Sequence, residues 1–360
     1  MHVRKPRYLA WIALPAVIAL PHAMNGCAVA VNEPVAQSFD SAVFETGSTG
    51  TYVRIVDVGS ALCVVTATRD GRHFVYDAGG IDQACLKAVR EIVGGDSIDL
   101  LVISHSDGEH MQDVPELLDK FTVGEIWWTE YRRPQLSYRR VVRAIAAAEQ
   151  AGARVRSLRT EPLSPGDRFR LGDASVTFVA GGALWRGNEE LDEETLAKAV
   201  SLVVRLDYGD SSLLLTGDTI GRLASWPDDQ CGYAEAEMVK TQAQALAVNV
   251  MLAPNHGANT AGSRCLVEAV GPDWVIFTAG HGKGNPDARA VQRYLQAGLP
   301  ADRLLRTDRS DDEGGGEWPS GVSSGCHDQP GDDDIEILMP DRGPPVVRYL
   351  RANDVCVIMK

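Results

Sequence analysis

The sequence predicts a mixed α/β fold of two β-sheets packed face to face, with helices on the outside. Three observations predict it. The chain falls into two halves, and each half runs strands first and then alternates strand with helix. Several strands are continuous apolar runs that end abruptly in polar residues, the pattern of strands buried on both faces. The composition is that of an ordinary globular protein, with 44% hydrophobic and 23% charged residues, enough apolar surface for a large core.

In the first half, Tyr52 to Val58 alternates as a strand, and Ala61 to Ala67 and Arg72 to Tyr76 continue it across a turn at Arg69-Asp70-Gly71-Arg72. Asp77-Ala78-Gly79-Gly80 breaks the pattern, and a helix is expected from about Gln83 to Val93. Ile98 to Ile103 is the most apolar strand, and it opens directly into Ser104-His105-Ser106-Asp107-Gly108-Glu109-His110. Imidazoles and carboxylates this dense, at the carboxyl end of a buried strand, are the ligand types of a metal site. A polar helix-capping loop with solvated histidines is the alternative. A helix around Val114 to Phe121, a strand at Glu125 to Thr129, a helix around Tyr138 to Ala151 and a strand at Arg154 to Ser157 complete this half.

The second half resets at the turn Ser164-Pro165-Gly166-Asp167. A strand at Ala174 to Ala180 and an acidic, helix-compatible stretch from Gly187 to Lys198 follow. Leu202 to Leu206 and Ser212 to Leu215 form a hairpin across Asp207-Tyr208-Gly209-Asp210. Three apolar strands then end in candidate site residues: Leu213 to Leu215 before Thr216-Gly217-Asp218, Val248 to Leu252 before Pro254-Asn255-His256-Gly257, and Trp274 to Thr278 before His281. Helices at Ala234 to Leu246 and Ala288 to Gln296 lie between and after them. Thr307 to Asp334, rich in Gly, Asp, Ser and Pro, reads as a long surface loop, and Ile335 to Met339 with Val346 to Leu350 as a terminal hairpin.

The N-terminus reads as an export signal. Arg4-Lys5-Pro6-Arg7 is a basic start and Tyr8 to Leu20 a short apolar core, below the ~20 residues of a membrane-spanning helix. Met24-Asn25-Gly26-Cys27 resembles a bacterial lipobox, which would lipidate Cys27; cleavage near Ala28-Val29-Ala30 is the competing reading. The expected organisation is an export signal over 1–27, a tether over 28–50, one domain over 51–308 and a loop-rich extension with a terminal hairpin over 309–360. Export gives the seven cysteines a meaning, because an oxidising compartment favours disulfides. With Cys27 set aside, local pairing is expected: Cys63 with Cys85, Cys231 with Cys265, and Cys326 with Cys356, although spacing does not fix connectivity.

Formal net charge is -14, and loss of Arg4, Lys5 and Arg7 with the signal deepens it. Such a surface gains nothing overall from phosphate neutralisation, so a nucleic-acid substrate needs a local basic groove or bound cations. Arg132, Arg133, Arg139, Arg140 and Arg143 form one such patch, or else a solvated helix face. A membrane partner is expected only through a lipid at Cys27. Trp127-Trp128 reads as core, whereas Trp185 and Trp318 are candidates to line a cleft. Asp57 and Asp77 read as structural carboxylates that bind turn amides, or as carboxylates that support metal ligands from behind, rather than as ligands themselves. No G-x-S-x-G joins an apolar strand to a helix, so no nucleophile elbow supports a serine hydrolase.

Asp57-Val58-Gly59, Asp77-Ala78-Gly79, the His105 to His110 loop, Leu215-Thr216-Gly217-Asp218 and Asn255-His256-Gly257 occur in the order of the metallo-β-lactamase superfamily. Together with Ser201-Leu202-Val203-Val204-Arg205-Leu206-Asp207-Tyr208-Gly209, they resemble the soluble domain of ComEC-type competence proteins. The resemblance spans roughly Thr51 to Asp308. It implies a four-layer αββα sandwich with a divalent metal, one or two ions of zinc, manganese or iron, at one edge of the sheets. It places His105 and Asp107 at one metal position, Glu109, His110 and His256 at another, and Asp218 between them. Asp107 and Asp218 are the expected catalytic carboxylates, with Asp107 or Glu109 able to act as a base. It implies a metal-dependent hydrolase, exported if the N-terminus is read as above, whose expected partner is a phosphodiester or another small-molecule substrate. Three departures matter: Glu109 stands where the family has Asp, Asn255 where it has His, and Asn285 where a histidine is common. They leave two alternatives open, a non-catalytic binding protein on a degenerate scaffold, or a hydrolase of a lactone or β-lactam.

Overall fold

The computed structural model describes residues 50–80, 82–182, 191–280, 284–309, 317–318, 326–327, 331–351 and 357–358. The expected export signal and lipid site at Cys27, Trp185, His281 and Cys356 lie outside the described residues, as do the side chains of Cys326 and His327.

The first half opens with antiparallel strands β1 (Thr51–Ile55), β2 (Cys63–Ala67) and β3 (His73–Ala78). It then becomes parallel through β4 (Ser97–Ile103), β5 (Thr122–Trp128) and β6 (Arg154–Ser157). Parallel pairing demands crossovers, which α1 (Ala84–Val93), α2 (Gly108–Met111) with α3 (Val114–Lys120), and α4 (Leu136–Gln150) provide. The second half repeats the plan. Strands β7 (Arg168–Leu171), β8 (Ala174–Ala180), β9 (Val203–Tyr208) and β10 (Ser211–Leu215) are antiparallel, with α5 (Glu193–Ala199) between β8 and β9. After α6 (Tyr233–Leu246), β11 (Val250–Leu252), α7 (Arg264–Val270), β12 (Trp274–Phe277), α8 (Ala288–Gln296) and β13 (Leu304–Arg306) extend the sheet in parallel. The short strand β14 (Cys326–His327) precedes the hairpin of β15 (Ile335–Met339) and β16 (Val346–Tyr349), and pairs with β17 (Val357–Ile358).

Three buried clusters define the layers. Val53, Tyr76, Val102 and Trp127 of the first sheet meet Val176, Val204, Leu213 and Ile276 of the second in one core. The intervening residues Val65, Val75, Leu101 and Ile126 face the opposite way, onto Leu86, Val89, Leu117 and Val141 of the helices. Leu214, Met251 and Val275 likewise face Met238, Leu266, Val291 and Tyr294. The result is the four-layer αββα sandwich. It explains the continuous apolar run of β4, whose alternate residues Leu100 and Val102 face the other sheet while Leu101 and Ile103 face helices. Trp127 is 1% exposed at the centre, with its indole N–H on Glu125 at 2.6 Å. Trp127→Ala is expected to cost about 3–5 kcal/mol of stability, read from the shift in a urea unfolding midpoint.

The structure revises several local readings. The β9–β10 turn is the two-residue Gly209-Asp210, because Asp207 and Tyr208 still pair with Ser212 and Ser211. Arg168-Phe169-Arg170-Leu171 forms an unforeseen strand, whose charged alternation suits its place at the sheet edge. The stretch after Arg306 is not simply a surface loop: Asp308 and Glu317 are buried against the Arg306 guanidinium at 2.6 and 3.1 Å, and Asp333 is buried against Arg309. Trp318 packs on Phe277, ring centroids 6.3 Å apart, rather than lining a cleft. The terminal hairpin is part of the first sheet, since β15 pairs along β1 with Thr51 opposite Met339 and Ile55 opposite Ile335. Two disulfides, Cys63–Cys85 and Cys231–Cys265, are formed as expected. Among the described residues no helix is long and apolar enough to cross a membrane.

Candidate metal centre

The carboxyl ends of β3, β4, β10, β11 and β12 converge at one edge of the two sheets. β3 delivers Asp77, the loop after β4 delivers His105 and Asp107, and α2 delivers His110. Asp218 follows β10, His256 follows β11, and Thr278 follows β12. Two glycines permit the convergence. A Cβ on Gly79 would sit 1.6 Å from the Glu109 carbonyl oxygen, so glycine alone lets the end of β3 lie against α2. Gly217 has φ 53°, and a Cβ there would press Ser104 at 2.8 Å. Asp77, Asn255 and His256 take φ values of 59°, 49° and 57°, a left-handed conformation that costs non-glycine residues energy. Three such residues in one cluster mark the place where the fold holds side chains at an angle the backbone resists.

His110 and His256 are aimed by groups behind them. Asp77, fully buried, accepts the Ser104 backbone N–H and hydroxyl, both at 2.6 Å, and the His110 Nδ1 proton at 2.8 Å. His256 Nδ1 donates to the Thr278 carbonyl at 2.7 Å, an acceptor that fixes the proton on that nitrogen. Both Nε2 atoms therefore point into the same space. They are 3.3 Å apart, and lie 3.3 Å (His110) and 3.5 Å (His256) from Asp218 Oδ1. Around an ion bound at ~2.1 Å, tetrahedral ligands lie ~3.4 Å from one another. The triangle therefore has the size of a ligand set. Asp218 Oδ1 is buried without a hydrogen-bond partner, and a single proton on His110 Nε2 can serve only one of its two neighbours. A divalent cation would satisfy all three donors at once, so the residues present fit a metal. His105, His110 and Asp218 form an overlapping group, with donor atoms all within 4.8 Å.

The charges follow from burial. Burial alone would raise the Asp218 carboxyl, but Lys198 and the three histidines hold it well below the usual carboxylate range. Asp107 is likewise held low against the cost of burial by His105, Lys198 and Arg133. Burial disfavours charge on His110, yet the Asp218 and Asp77 carboxylates outweigh it and push this imidazole up to about 10. His256 is lowered, chiefly by burial, and stays neutral.

The structure thus brings together His105, Asp107, His110, Asp218 and His256. It does not bring Glu109 into the donor group: half-buried in the first turn of α2, it makes no hydrogen bond or ion pair to these residues among those described. Glu109 instead lines a cavity of about 80 Å³ with Ser60, Lys198, Asn255, His256 and Thr278. Two residues were not foreseen as part of the site. Lys198, on the last turn of α5, places Nζ 2.8 Å from Asp218 Oδ2 and 3.1 Å from Asn255 Oδ1. Arg133, read from the sequence as part of a basic patch, is 8% exposed and binds Asp107 Oδ1 at 3.2 Å, whereas Arg132, Arg139, Arg140 and Arg143 are exposed. The usable signal for Lys198 was a lysine between Ala197 and Ala199, two small residues that bury.

No family model matches the chain. The chain is 26% identical over 262 residues to the competence protein ComA of Neisseria gonorrhoeae, covering 72% of this chain and 31% of that one. It therefore spans about a third of the relative's length. Among solved structures it is similar to the metallo-β-lactamase fold protein YhfI of Bacillus subtilis, with 10% identity, TM-score 0.41, and 75% and 98% of the two chains covered. It is also similar to CmlA, a diiron β-hydroxylase of Streptomyces venezuelae, with 15% identity, TM-score 0.41, and 72% and 53% covered. A diphosphatase of the PhnP family aligns with 14% identity, TM-score 0.37, and 71% and 94% covered.

Proposed function

We propose that this protein is an exported metal-dependent hydrolase acting on a phosphodiester. The observation that carries the reading is the triangle of His110 Nε2, His256 Nε2 and Asp218 Oδ1, with sides of 3.3 to 3.5 Å around an oxygen that has no hydrogen-bond partner. These three residues would hold a zinc, manganese or iron ion. Such an ion supplies a lowered pKa to water and polarises a phosphoryl oxygen. The chain's own residues do the rest. Asp77 and Thr278 each accept the Nδ1 proton, so Nε2 is the nitrogen that each imidazole would offer to the ion. Asp218 contributes the negative charge that keeps a cation at this edge. Asp107, ionised at neutral pH and fixed by Arg133, lies 3.5 Å from His105 Nε2 and is a weak base rather than a store for a proton. Export is supported by the two disulfides, which persist in an oxidising compartment.

A second reading, a binding protein without turnover, is favoured by one observation. The cavity beside the cluster holds about 80 Å³, far below the ~300–1,000 Å³ of most ligand clefts. The test is hydrolysis by the purified chain loaded in turn with Zn²⁺, Mn²⁺ and Fe²⁺. Substrates are bis(p-nitrophenyl) phosphate, single- and double-stranded DNA, a homoserine lactone and nitrocefin. Chelator-sensitive phosphodiester cleavage is expected. Cleavage of the lactone or nitrocefin alone would move the assignment to that class, and stoichiometric metal with no turnover on any substrate would favour the binding protein.

A further inference from the structure

Asp218 divides its two oxygens between two faces. Oδ1 faces His110 and His256. Oδ2 faces His105 Nε2 at 3.7 Å and Lys198 Nζ at 2.8 Å. On that second face Asp107 Oδ2 lies 3.5 Å from the same His105 nitrogen. His105 Nε2, Asp107 Oδ2 and Asp218 Oδ2 are therefore a second set of one imidazole and two carboxylates, and His105 Nε2 is buried with no hydrogen-bond partner.

This face already contains a cation. The Lys198 ammonium is locked there from two sides, by Asp218 and by the Asn255 side-chain carbonyl at 3.1 Å. The orientation of that amide is fixed, because Asn255 Nδ2 donates to Thr260 Oγ1 at 3.2 Å and so turns Oδ1 toward Lys198. A histidine at position 255 would offer no carbonyl oxygen there. Arg133 neutralises Asp107 from its far side at 3.2 Å. A divalent ion on Asp218 Oδ2 would have to share that oxygen with the Lys198 ammonium, whose Nζ lies 2.8 Å from it, and two cations on one buried oxygen repel strongly.

We propose that Lys198 stands in for a second metal ion on the His105 face, so that the centre holds one ion, on the His110–His256 face. The proposal rests on the reading that the latter face binds metal. Asn255 and Lys198 then form a matched pair: the amide holds the ammonium, and the ammonium supplies fixed positive charge to Asp107 and Asp218 without an ion that could be lost or exchanged.

The experiment is metal stoichiometry, measured by native mass spectrometry and elemental analysis across a Zn²⁺ and a Mn²⁺ titration of the whole exported chain. The wild type is expected to saturate at one ion. Lys198→Met, which keeps the side-chain stem and removes the charge, is expected to saturate at two, and Lys198→Arg to remain at one. If Lys198→Met does not fold, Lys198→Gln, neutral yet able to bond Asp218 and Asn255, carries the same expectation. Two ions in the wild type would overturn the role of Lys198 and leave the metal reading intact. One ion in a folded neutral variant would also overturn it. No ion in the wild type would overturn this proposal and the hydrolase reading together.

Discussion

His110→Ala is expected to release the bound ion and to lower phosphodiester turnover on the order of 10³-fold or more, because the metal chemistry is lost and not merely weakened. The loss follows from the triangle, which His110 shares with both other members at 3.3 Å. Removing the imidazole also takes one neighbour from each of two buried carboxylates, Asp77 and Asp218, which keep Ser104 and Lys198, so a stability loss of about 1–3 kcal/mol should accompany the loss of metal. Metal content after dialysis, turnover and a urea unfolding curve separate the two effects. Retention of a full equivalent of metal would exclude His110 from the ligand set. The pH dependence carries a sign. The His110 imidazole is pushed up to about 10 when no metal competes for it, so binding at neutral pH must expel a proton. Apparent affinity, measured by competition with a chelator, should therefore rise about tenfold per pH unit between neutral pH and the onset of that deprotonation, and fall as pH drops.

The second large effect belongs to Asp77, which stands behind His110 and outside the triangle. Asp77→Asn preserves shape, and asparagine tolerates the left-handed backbone at this position, where φ is 59°. The carboxylate accepts three hydrogens, however, from Ser104 N, Ser104 Oγ and His110 Nδ1. With its carbonyl oxygen kept on Ser104 N, an amide presents N–H to His110 Nδ1 and drives the imidazole proton onto Nε2, the atom that must bind metal. Metal affinity should fall about 10–100-fold. Asp77→Ala, which leaves buried donors unpaired, should in addition lose about 1–3 kcal/mol per stranded group. Chelator competition and thermal unfolding on the two variants test both halves, and unchanged affinity in Asp77→Asn would show that Asp77 is a packing residue only.

The layered fold was legible because β4 and its parallel neighbours are apolar on both faces, and a strand can be so only between two other layers. The positions of His105, His110, Asp218 and His256 were legible for the same reason, each standing where such a run stops. The partners of these residues were not. Asp77 and Thr278 act through hydrogen bonds that cross from one strand end to another, and sequence spacing does not encode such a contact. Lys198 reads as an ordinary charge on a short acidic helix until α5 is placed beside Asp218, and Arg133 reads as surface until Asp107 is found next to it. The pairing of β15 with β1 joins the two ends of the described domain, and alternation within either strand shows only that each needs a partner.

The most direct test of the central claim is a crystal structure of the metal-loaded wild-type chain, with anomalous maps collected at the absorption edge of the added metal. One ion is predicted, bound by His110 Nε2, His256 Nε2 and Asp218 Oδ1 at ~2.0–2.2 Å. An anomalous map with no peak at this triangle, or with its only ion elsewhere in the molecule, would contradict the account.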